Sequence, residues 1–566
     1  MLKLNSYIKI LAMAAALTGL SCSAYADRYT DMQDRNGGRL AEETKMILTT
    51  EPALSYSFAG FSKPQEVAAV LDRMKLLDIK GTFFAGARDI KAQPELMQRI
   101  LKEGHELGVA VYAYKSGNFT TTVKQIEEAQ KLLKTRYGVT TNLVKQPWGA
   151  VSDYTKEAVA ACDCVLIGHN VNVVQSKHKA YQNALDIMPE LFGKFVYSLG
   201  RGYIVNFRMD FYDKPGLCAD MLQIVKEQKI DNVAYWAVND DPKLNPQNDS
   251  AYKIKSVGAL RENSKYTYSL PVAAAEAKLR YENNRVAKES LREYIAKRYI
   301  GTPSVNRDSN TLGFTQEELR YADTKGRIHT NKPVIFLGFD DWGTDQSINK
   351  LLYVLRKHDV KATFFILTKN VKNNPNLIRA IAQDGHDIAS HTNMHKPLAL
   401  NAKLGHMKHG MGAEERFEDL QTSYQELERY TGDIMINGKP VLTKMFRPPT
   451  LTISKLGFEE LKATGFEWIV SGSYSTHDYA QENLFDMIEE FKHGLYNNGK
   501  VVKGAVFIAH MSDTAQFTPG ALDVLLTLNE QRADNDPRKF IVGRLSDYLV
   551  DEYSQDNKKK AIMLER

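Results

Sequence analysis

The chain has 566 residues, of which 43% are hydrophobic and 25% charged, with a formal net charge of +6. That length exceeds what one hydrophobic core supports, so at least two domains are expected of a globular chain without low-complexity tracts. The mild positive charge is spread along the sequence, with no basic helix or aromatic-rich binding motif, and does not point to nucleic acid.

In chain order, the first segment is not part of a fold. Lys3 and Lys9 precede a short apolar run from Ile10 to Leu20, and Ala24-Tyr25-Ala26 is a small-x-small site before Asp27. This is the pattern of a secretory signal peptide over 1–26, cleaved after Ala26, and it predicts a secreted or periplasmic protein. Acylation at Cys22 is the competing reading and would tether a lipoprotein. Gly19 stands where such signals usually carry an aliphatic residue, which favours Ala26. No other segment is apolar and long enough to be transmembrane. Cleavage leaves Cys162, Cys164 and Cys218, an odd number that excludes a disulfide framework. Cys162-x-Cys164 reads as small buried residues on a strand rather than as a metal site.

Residues 40–250 begin with an apolar strand around Leu54–Phe58, followed by Ala59-Gly60 and a helix from Val67 to Leu77. Gly81-Thr82-Phe83-Phe84 is a second strand, Pro94 opens a helix, and Gly104-His105-Glu106-Leu107 leads into a third strand. Residues 331–550 repeat the pattern. Val334–Phe339 is a strand ending in Asp340-Asp341-Trp342-Gly343, and Ile348–Leu355 is an amphipathic helix. Ala362–Leu367 is a strand, Asn374-Pro375 opens a helix through about Ala382, and Gly385-His386-Asp387-Ile388 leads into the third strand. Phe58 and Phe339, Thr82 and Thr363, and Gly104 and Gly385 are each 281 residues apart. Three landmarks at one offset without a gap indicate an internal duplication. Strands alternating with helices predict parallel sheets, as a barrel or doubly wound. Between the copies, 251–330 reads as linker around a long polar helix over Val272–Tyr299, and 551–566 as a charged tail.

The chemistry concentrates in the second copy. Asp340 and Asp341 are neighbours leaving a strand, so their carboxylates point to different sides and can serve different roles. In a parallel barrel the carboxyl ends of strands are where sites are built. His391-Thr-Asn-Met-His395 can face one centre from a helical turn or a curled loop. Two imidazoles and a carboxylate leave coordination positions open for water and substrate. An Asp-Asp-x-Gly is also a common turn, and two histidines four apart are not rare among 13, so it is the combination that carries weight. His406 and His409 read as surface residues.

Asp-Asp at a strand end, then Thr-Phe-Phe, Asn-x-Pro, Gly-His and His-Thr-x-x-His, in that order, resembles the NodB-homology polysaccharide deacetylases, over about 331–550. The resemblance implies two deformed (β/α) barrels of that type in tandem, the first degenerate. It implies that Asp341, His391 and His395 hold a divalent metal, with Zn2+ best suited and Co2+, Ni2+ or Fe2+ able to substitute. Asp340 is then the general base, Arg447 of Phe446-Arg447-Pro448-Pro449 holds and tunes it, and the backbone near Thr450 stabilises the oxyanion. His510, closing the strand Val506–His510, is the general acid. Asp478 is the partner carboxylate of the fourth motif, with Asp513 as rival. Trp342, Pro448, Thr450 and Tyr479 are expected to face the substrate. The sequence departs from the family where Trp342-Gly343 replaces Gly-Pro and Thr450 replaces an aromatic, which bears on the substrate more than on the reaction.

The function so implied is a secreted metal-dependent N-deacetylase of an amino-sugar polymer, peptidoglycan or exopolysaccharide. An O-acetyl esterase on a sugar polymer keeps the site and changes the substrate, and a glycan-binding protein with two inert barrels is the alternative from another class. Nothing in the sequence specifies an oligomer. At the same offset, Asp340 and Asp341 become Ala59 and Gly60, and His391 and His395 become Ala110 and Tyr114. A gapped match sets Gln146-Pro147 against Arg447-Pro448 and Arg208 against His510. The first copy is therefore expected to keep the fold and lack deacetylase activity.

Overall fold

The apolar runs form strands buried along their length, and the amphipathic segments between them form helices that cover the strands. The computed structural model describes residues 28–113, 117–194, 196–237, 240–270, 284–302, 313–398 and 413–555. Residues 1–27, Tyr114, His406, His409 and the tail beyond 555 lie outside the described residues, so the expected signal peptide falls there too. The chain divides into two compact units.

The first unit is built on β1 (Ala53–Ala59), β2 (Thr82–Ala85), β3 (Glu106–Ala110), β4 (Leu143–Lys145), β5 (Val165–Leu166), β6 (Val171–Asn172), β7 (Ile204–Arg208) and β8 (Lys253–Lys255). They form one parallel sheet in the order β5-β4-β3-β2-β1-β7-β6, with β8 also on β1. Helices Pro64–Leu76, Pro94–Lys102 and Phe119–Tyr137 cross between strands. Proline at the first helical turn suits the two openings at Pro64 and Pro94, where the missing N–H has no partner to lose.

The second unit starts its sheet with β9 (Tyr299–Ile300), β10 (Val334–Asp341), β11 (Thr363–Ile366) and β12 (Asp387–Ser390). After the hairpin β13–β14 (Met435–Ile436 and Lys439–Pro440) come β15 (Leu442–Phe446), β16 (Trp468–Val470) and β17 (Tyr474–Ser475). A second hairpin, β18–β19 (Tyr496–Asn497 and Lys500–Val501), precedes β20 (Val506–His510) and β21 (Ile541–Gly543). The order is β17-β20-β10-β11-β12-β15-β16-β9, with β21 on β10. This is the first sheet's connectivity with one strand added at the edge. Each sheet is a parallel half-barrel that stays open along its hydrogen-bonded path, which is the deformed barrel expected.

The duplication extends to register. Ser57 and Phe58 lie opposite Thr82 and Phe83, as Gly338 and Phe339 lie opposite Thr363 and Phe364. Phe58 stacks on Phe83 at 4.8 Å, and Phe339 meets Phe364 at 5.2 Å. All four rings are buried, each contributing about 1.5–3 kcal/mol relative to exposure. The Gly-His landmark has a physical cause in both copies. Gly104 and Gly385 end helices with φ of 78° and 84°, a conformation that glycine adopts without Cβ strain. The following histidines turn inward, where His105 Nδ1 accepts from Gly81 N and His386 Nδ1 accepts from Ala362 N. Burial lowers their pKa to about 4 and about 3, so both imidazoles are neutral.

Three boundaries differ from the sequence reading. The segment 251–330 is not a linker: Lys253–Lys255 pairs with β1 and Tyr299–Ile300 pairs with β16. Its long polar helix is not continuous over the described part. Residues 284–289 form turns, and a helix starts only at Leu291, capped by Ser290 and ending at Arg298. Residues 197–201 and 229–252 belong to the second unit, where a buried polar network holds them. Arg201 Nη2 donates to Asn349 Oδ1 (2.9 Å), Tyr252 donates to Asp345, and Tyr235 OH donates to Asp523 Oδ2 (2.8 Å). Cys162 and Cys164 also lie off the strands. Cys162 caps the helix Asp153–Ala161, and burial pushes the two thiols up to about 12 and about 11.

Candidate metal centre and active site

Strand β10 carries Asp340 and Asp341 to the carboxyl end of the second sheet. Asp340, the last fully buried residue of the strand, accepts from Arg447 Nη1 at 2.5 Å. Arg447 follows β15 and is itself buried. Its Nε donates to the Val470 carbonyl (2.9 Å), and its guanidinium lies 4.0 Å over the Phe365 ring. The arginine crosses β10 at Gly338, where a Cβ would meet Nη1 and Nη2 at 2.6 Å. Burial raises the Asp340 pKa. The charges of Arg447 and His510 pull it down without outweighing the burial, so the net effect is a rise where a neighbouring cation alone would lower it.

Asp341 turns the other way, with φ of 75°. Its Oδ1 lies 3.7 Å from His391 Nε2 and 3.3 Å from His395 Nε2. One ligand atom from each of the three lies within 4.8 Å of the others, and no other such cluster occurs among the described residues. The donor set suits a divalent cation. His391 Nδ1 donates to the Arg447 carbonyl (2.8 Å), which leaves the Nε2 lone pair free, and burial pushes the imidazole down to about 3, into its neutral form. The histidines sit on a curled loop rather than a helix, with Thr392 and His395 at φ of 71° and 55°. His395 N donates to Thr392 Oγ1 (2.9 Å) and Asn393 N to Asp419 Oδ2 (3.1 Å), so the loop is braced at both ends. Asp419, on the helix Ala413–Thr431, was not visible as part of the site, because no motif links it to the loop.

His510 lies opposite Asp340 in the parallel register of β10 and β20. Its Nδ1 is 2.6 Å from Asp478 Oδ1, and its backbone N donates to Asp478 Oδ2 at 2.7 Å. Thr518 Oγ1 also donates to that oxygen (2.8 Å). Burial opposes protonation of His510, but the Asp478 hydrogen bond and charge outweigh it and raise the pKa to about 9. Asp478 is thus the carboxylate that touches His510. Asp513 instead accepts from Thr344 N (3.1 Å) and Thr344 Oγ1 (2.6 Å), pinning the turn after the paired aspartates. Tyr479 is half exposed, with its ring 5.1 Å from His510 and edge-on to it. Thr450 is exposed and Pro448 buried, and Trp342 is partly buried against the core. Thr450 and Leu451 both adopt left-handed φ, 56° and 60°, a strained pair of the kind found at functional sites.

In the first copy, Ala59 lies opposite Arg208 as Asp340 lies opposite His510. Val109 pairs with Val144, and its counterpart Ser390 pairs with Phe446. The buried basic side chain at the place of Arg447 is therefore Lys145, not Gln146, and burial lowers its pKa to about 7. Lys145 lies over Phe84 as Arg447 lies over Phe365, and Trp148 takes the place of Thr450. The gapped sequence match was one residue out because it aligned prolines rather than the sheet.

Residues 50–167 and 327–469 match the polysaccharide deacetylase family. The chain is 37% identical over 83 residues to a chitooligosaccharide deacetylase of Sinorhizobium fredii, covering 15% of this chain and 39% of that one. It is 23% identical over 207 residues to a peptidoglycan-N-acetylglucosamine deacetylase of Bacillus cereus, covering 36% and 85%. A family 4 acetyl xylan esterase from Clostridium thermocellum, solved with a cobalt ion, superposes with a TM-score of 0.31 at 21% identity, over 40% of this chain and 96% of that one. The chain spans less than half the length of the first of these relatives. The two segments similar to the polysaccharide deacetylase family repeat one strand order and one register, so the matched domain is present twice.

Proposed function

We propose that the second copy is a metal-dependent deacetylase that hydrolyses N-acetyl groups of an amino-sugar polymer, peptidoglycan or exopolysaccharide. The observation that carries the reading is the convergence of three elements at one sheet end. These are the Asp341, His391 and His395 cluster, the buried Asp340–Arg447 pair and the Asp478–His510 pair. A divalent cation held by the cluster, Zn2+ by preference with Co2+, Ni2+ or Fe2+ as substitutes, would supply Lewis acidity to water and to the acetyl carbonyl.

The chain's own residues then divide the proton work. Asp340, made more basic by burial and oriented by Arg447, takes the proton of the attacking water. The backbone at Thr450 stabilises the developing oxyanion. His510, protonated at neutral pH through Asp478, donates to the leaving nitrogen, so that an amine and acetate depart. Tyr479, half exposed beside His510, and the partly buried Trp342 face the sugar, whereas Pro448 is buried. The basic, apolar and Ala-Tyr-Ala pattern of 1–26 supports a secreted or periplasmic address, where such polymers lie.

The test is acetate release from N-acetylchitotetraose by the metal-loaded protein, beside acetylated xylan. Release from the former, lost in Asp340→Asn with metal still bound, is the expected result. Release from xylan alone would move the reading to an O-acetyl esterase.

A further inference from the structure

The first copy keeps a cavity of about 710 Å³ at the carboxyl end of its sheet, where the second copy carries its catalytic groups. That volume lies within the range of small-molecule sites. Gly60 and Ala110, which stand where Asp341 and His391 stand in the other copy, line it and leave the space open. It is not a vestigial metal site. Asp210 has moved into the place of the lost ligand, and a Cβ on Gly60 would meet its Oδ1 at 2.4 Å. Asp210 accepts from Arg208 Nε (2.8 Å) and Ser62 Oγ (2.6 Å), so an ion pair occupies the centre.

Around that pair the walls are built for a ligand with one flat apolar face and several hydroxyls. The Arg208 guanidinium lies 4.2 Å from the Trp148 ring centroid, and the Tyr112 ring is 5.2 Å from the same indole. Held on these sides, Trp148 still exposes 40% of its surface. Tyr112 OH donates to Asp89 Oδ2 (2.8 Å), which fixes a carboxylate on the wall. Arg208 makes no hydrogen bond through Nη1 or Nη2 among the described residues. Rigid aromatic surface beside fixed carboxylate acceptors and guanidinium donors is the chemistry that receives a sugar ring's apolar face and its hydroxyls. Charge selects among sugars. The lining carries Arg88 and Arg208 against Asp89, Asp210 and Glu128, and Lys91, outside the lining, pairs with Glu128 at 2.5 Å. With Lys91 counted the charges around the cavity sum to zero, so net charge draws in neither a polyanion nor an amine.

We infer that the first copy is a saccharide-binding module, and that this cavity takes an uncharged, N-acetylated stretch of glycan rather than the cationic deacetylated product. The choice of polymer rests on the deacetylase reading of the second copy, but the cavity does not. A second holding site raises the effective concentration of a long polymer at the chain without adding any catalytic contact.

The experiment is calorimetric titration of the full chain with N-acetylchitotetraose, chitosan tetraose and xylotetraose, in an Asp341→Ala background that removes turnover. One equivalent of N-acetylchitotetraose is expected to bind, weakened at least tenfold by Trp148→Ala or Arg208→Ala and retained in Trp148→Phe. Chitosan tetraose is expected not to compete. Xylotetraose binding with the same dependence on Trp148, and no binding of N-acetylchitotetraose, would keep the saccharide module and show separately that the polymer assignment fails. No binding of any of the three, or binding indifferent to both Trp148→Ala and Arg208→Ala, overturns the inference.

Discussion

Gly338 shows how much of the site depends on one missing side chain. Arg447 reaches Asp340 only by crossing β10 at this residue, and its guanidinium is held between the Phe365 ring and the Asp340 carboxylate. Gly338→Ala should therefore displace a locked group rather than a free one. The expected cost is about 1–3 kcal/mol of stability by overpacking. It should also lower the deacetylation rate through the disturbed Asp340, and denaturant midpoints with acetate-release rates would show both. His510 offers a second test at this scale. Its pKa, raised to about 9, adds stability that is full below its ordinary value of 6.5 and is lost as the pH rises through 9. Asp478→Asn removes the carboxylate that sustains the charge, so the imidazole should titrate lower, and the alkaline limb of the rate profile should move down with it. An NMR titration of the His510 ring in which the pKa stayed near 9 would remove Asp478 from its assigned role.

At the scale of elements, the landmarks legible in the sequence are those whose spacing is fixed by local geometry. Thr82 Oγ1 donates to Glu106 Oε2 (2.6 Å) and Thr363 Oγ1 to Asp387 Oδ2 (3.2 Å), tying the second strand to the third in each copy. Gly104 and Gly385 turn the chain into the buried histidine each time. These positions tolerate no insertion, so a constant offset survives. Strands β8 and β9 were illegible because each has only two or three residues and lies in polar sequence, and only pairing to a distant strand defines it. The third-motif register was legible only approximately. Proline identity aligned Gln146 with Arg447, whereas the β3–β4 pairing and the ring beneath the basic side chain align Lys145. The buried histidines make their own prediction. Below pH 6.5 the unfolded chain takes up protons that native His386 refuses until about pH 3, so stability falls with pH across that window. Asp387, raised by burial to about 6, slopes the opposite way, so only the difference between proteins isolates the histidine. His386→Ala should be less stable than the parent near pH 7, with the gap narrowing toward pH 4 in urea midpoints.

For the whole molecule, the duplication poses a question of stoichiometry. Both copies have the same strand order and register, and each ends its first strand at the place where a metal site could be built. Shape therefore allows two cations per chain, and chemistry has to decide. In the second copy one carboxylate and two imidazoles bring their ligand atoms within 4.8 Å of one another. In the first, Ala59, Gly60 and Ala110 offer no ligand atoms, and Asp210 is paired with Arg208, whose guanidinium repels a cation. A carboxylate already paired with an arginine, with no converging set of ligand atoms around it among the described residues, cannot replace three converging ligands. The protein should therefore bind about one divalent ion per chain, and Asp341→Ala should bind essentially none, as read by elemental analysis after dialysis. Two ions per chain, with one surviving in Asp341→Ala, would mean that the first copy assembles a site from other groups. The Arg208–Asp210 pair would then have to open on binding, and Arg208→Ala should tighten that ion instead of leaving it unchanged.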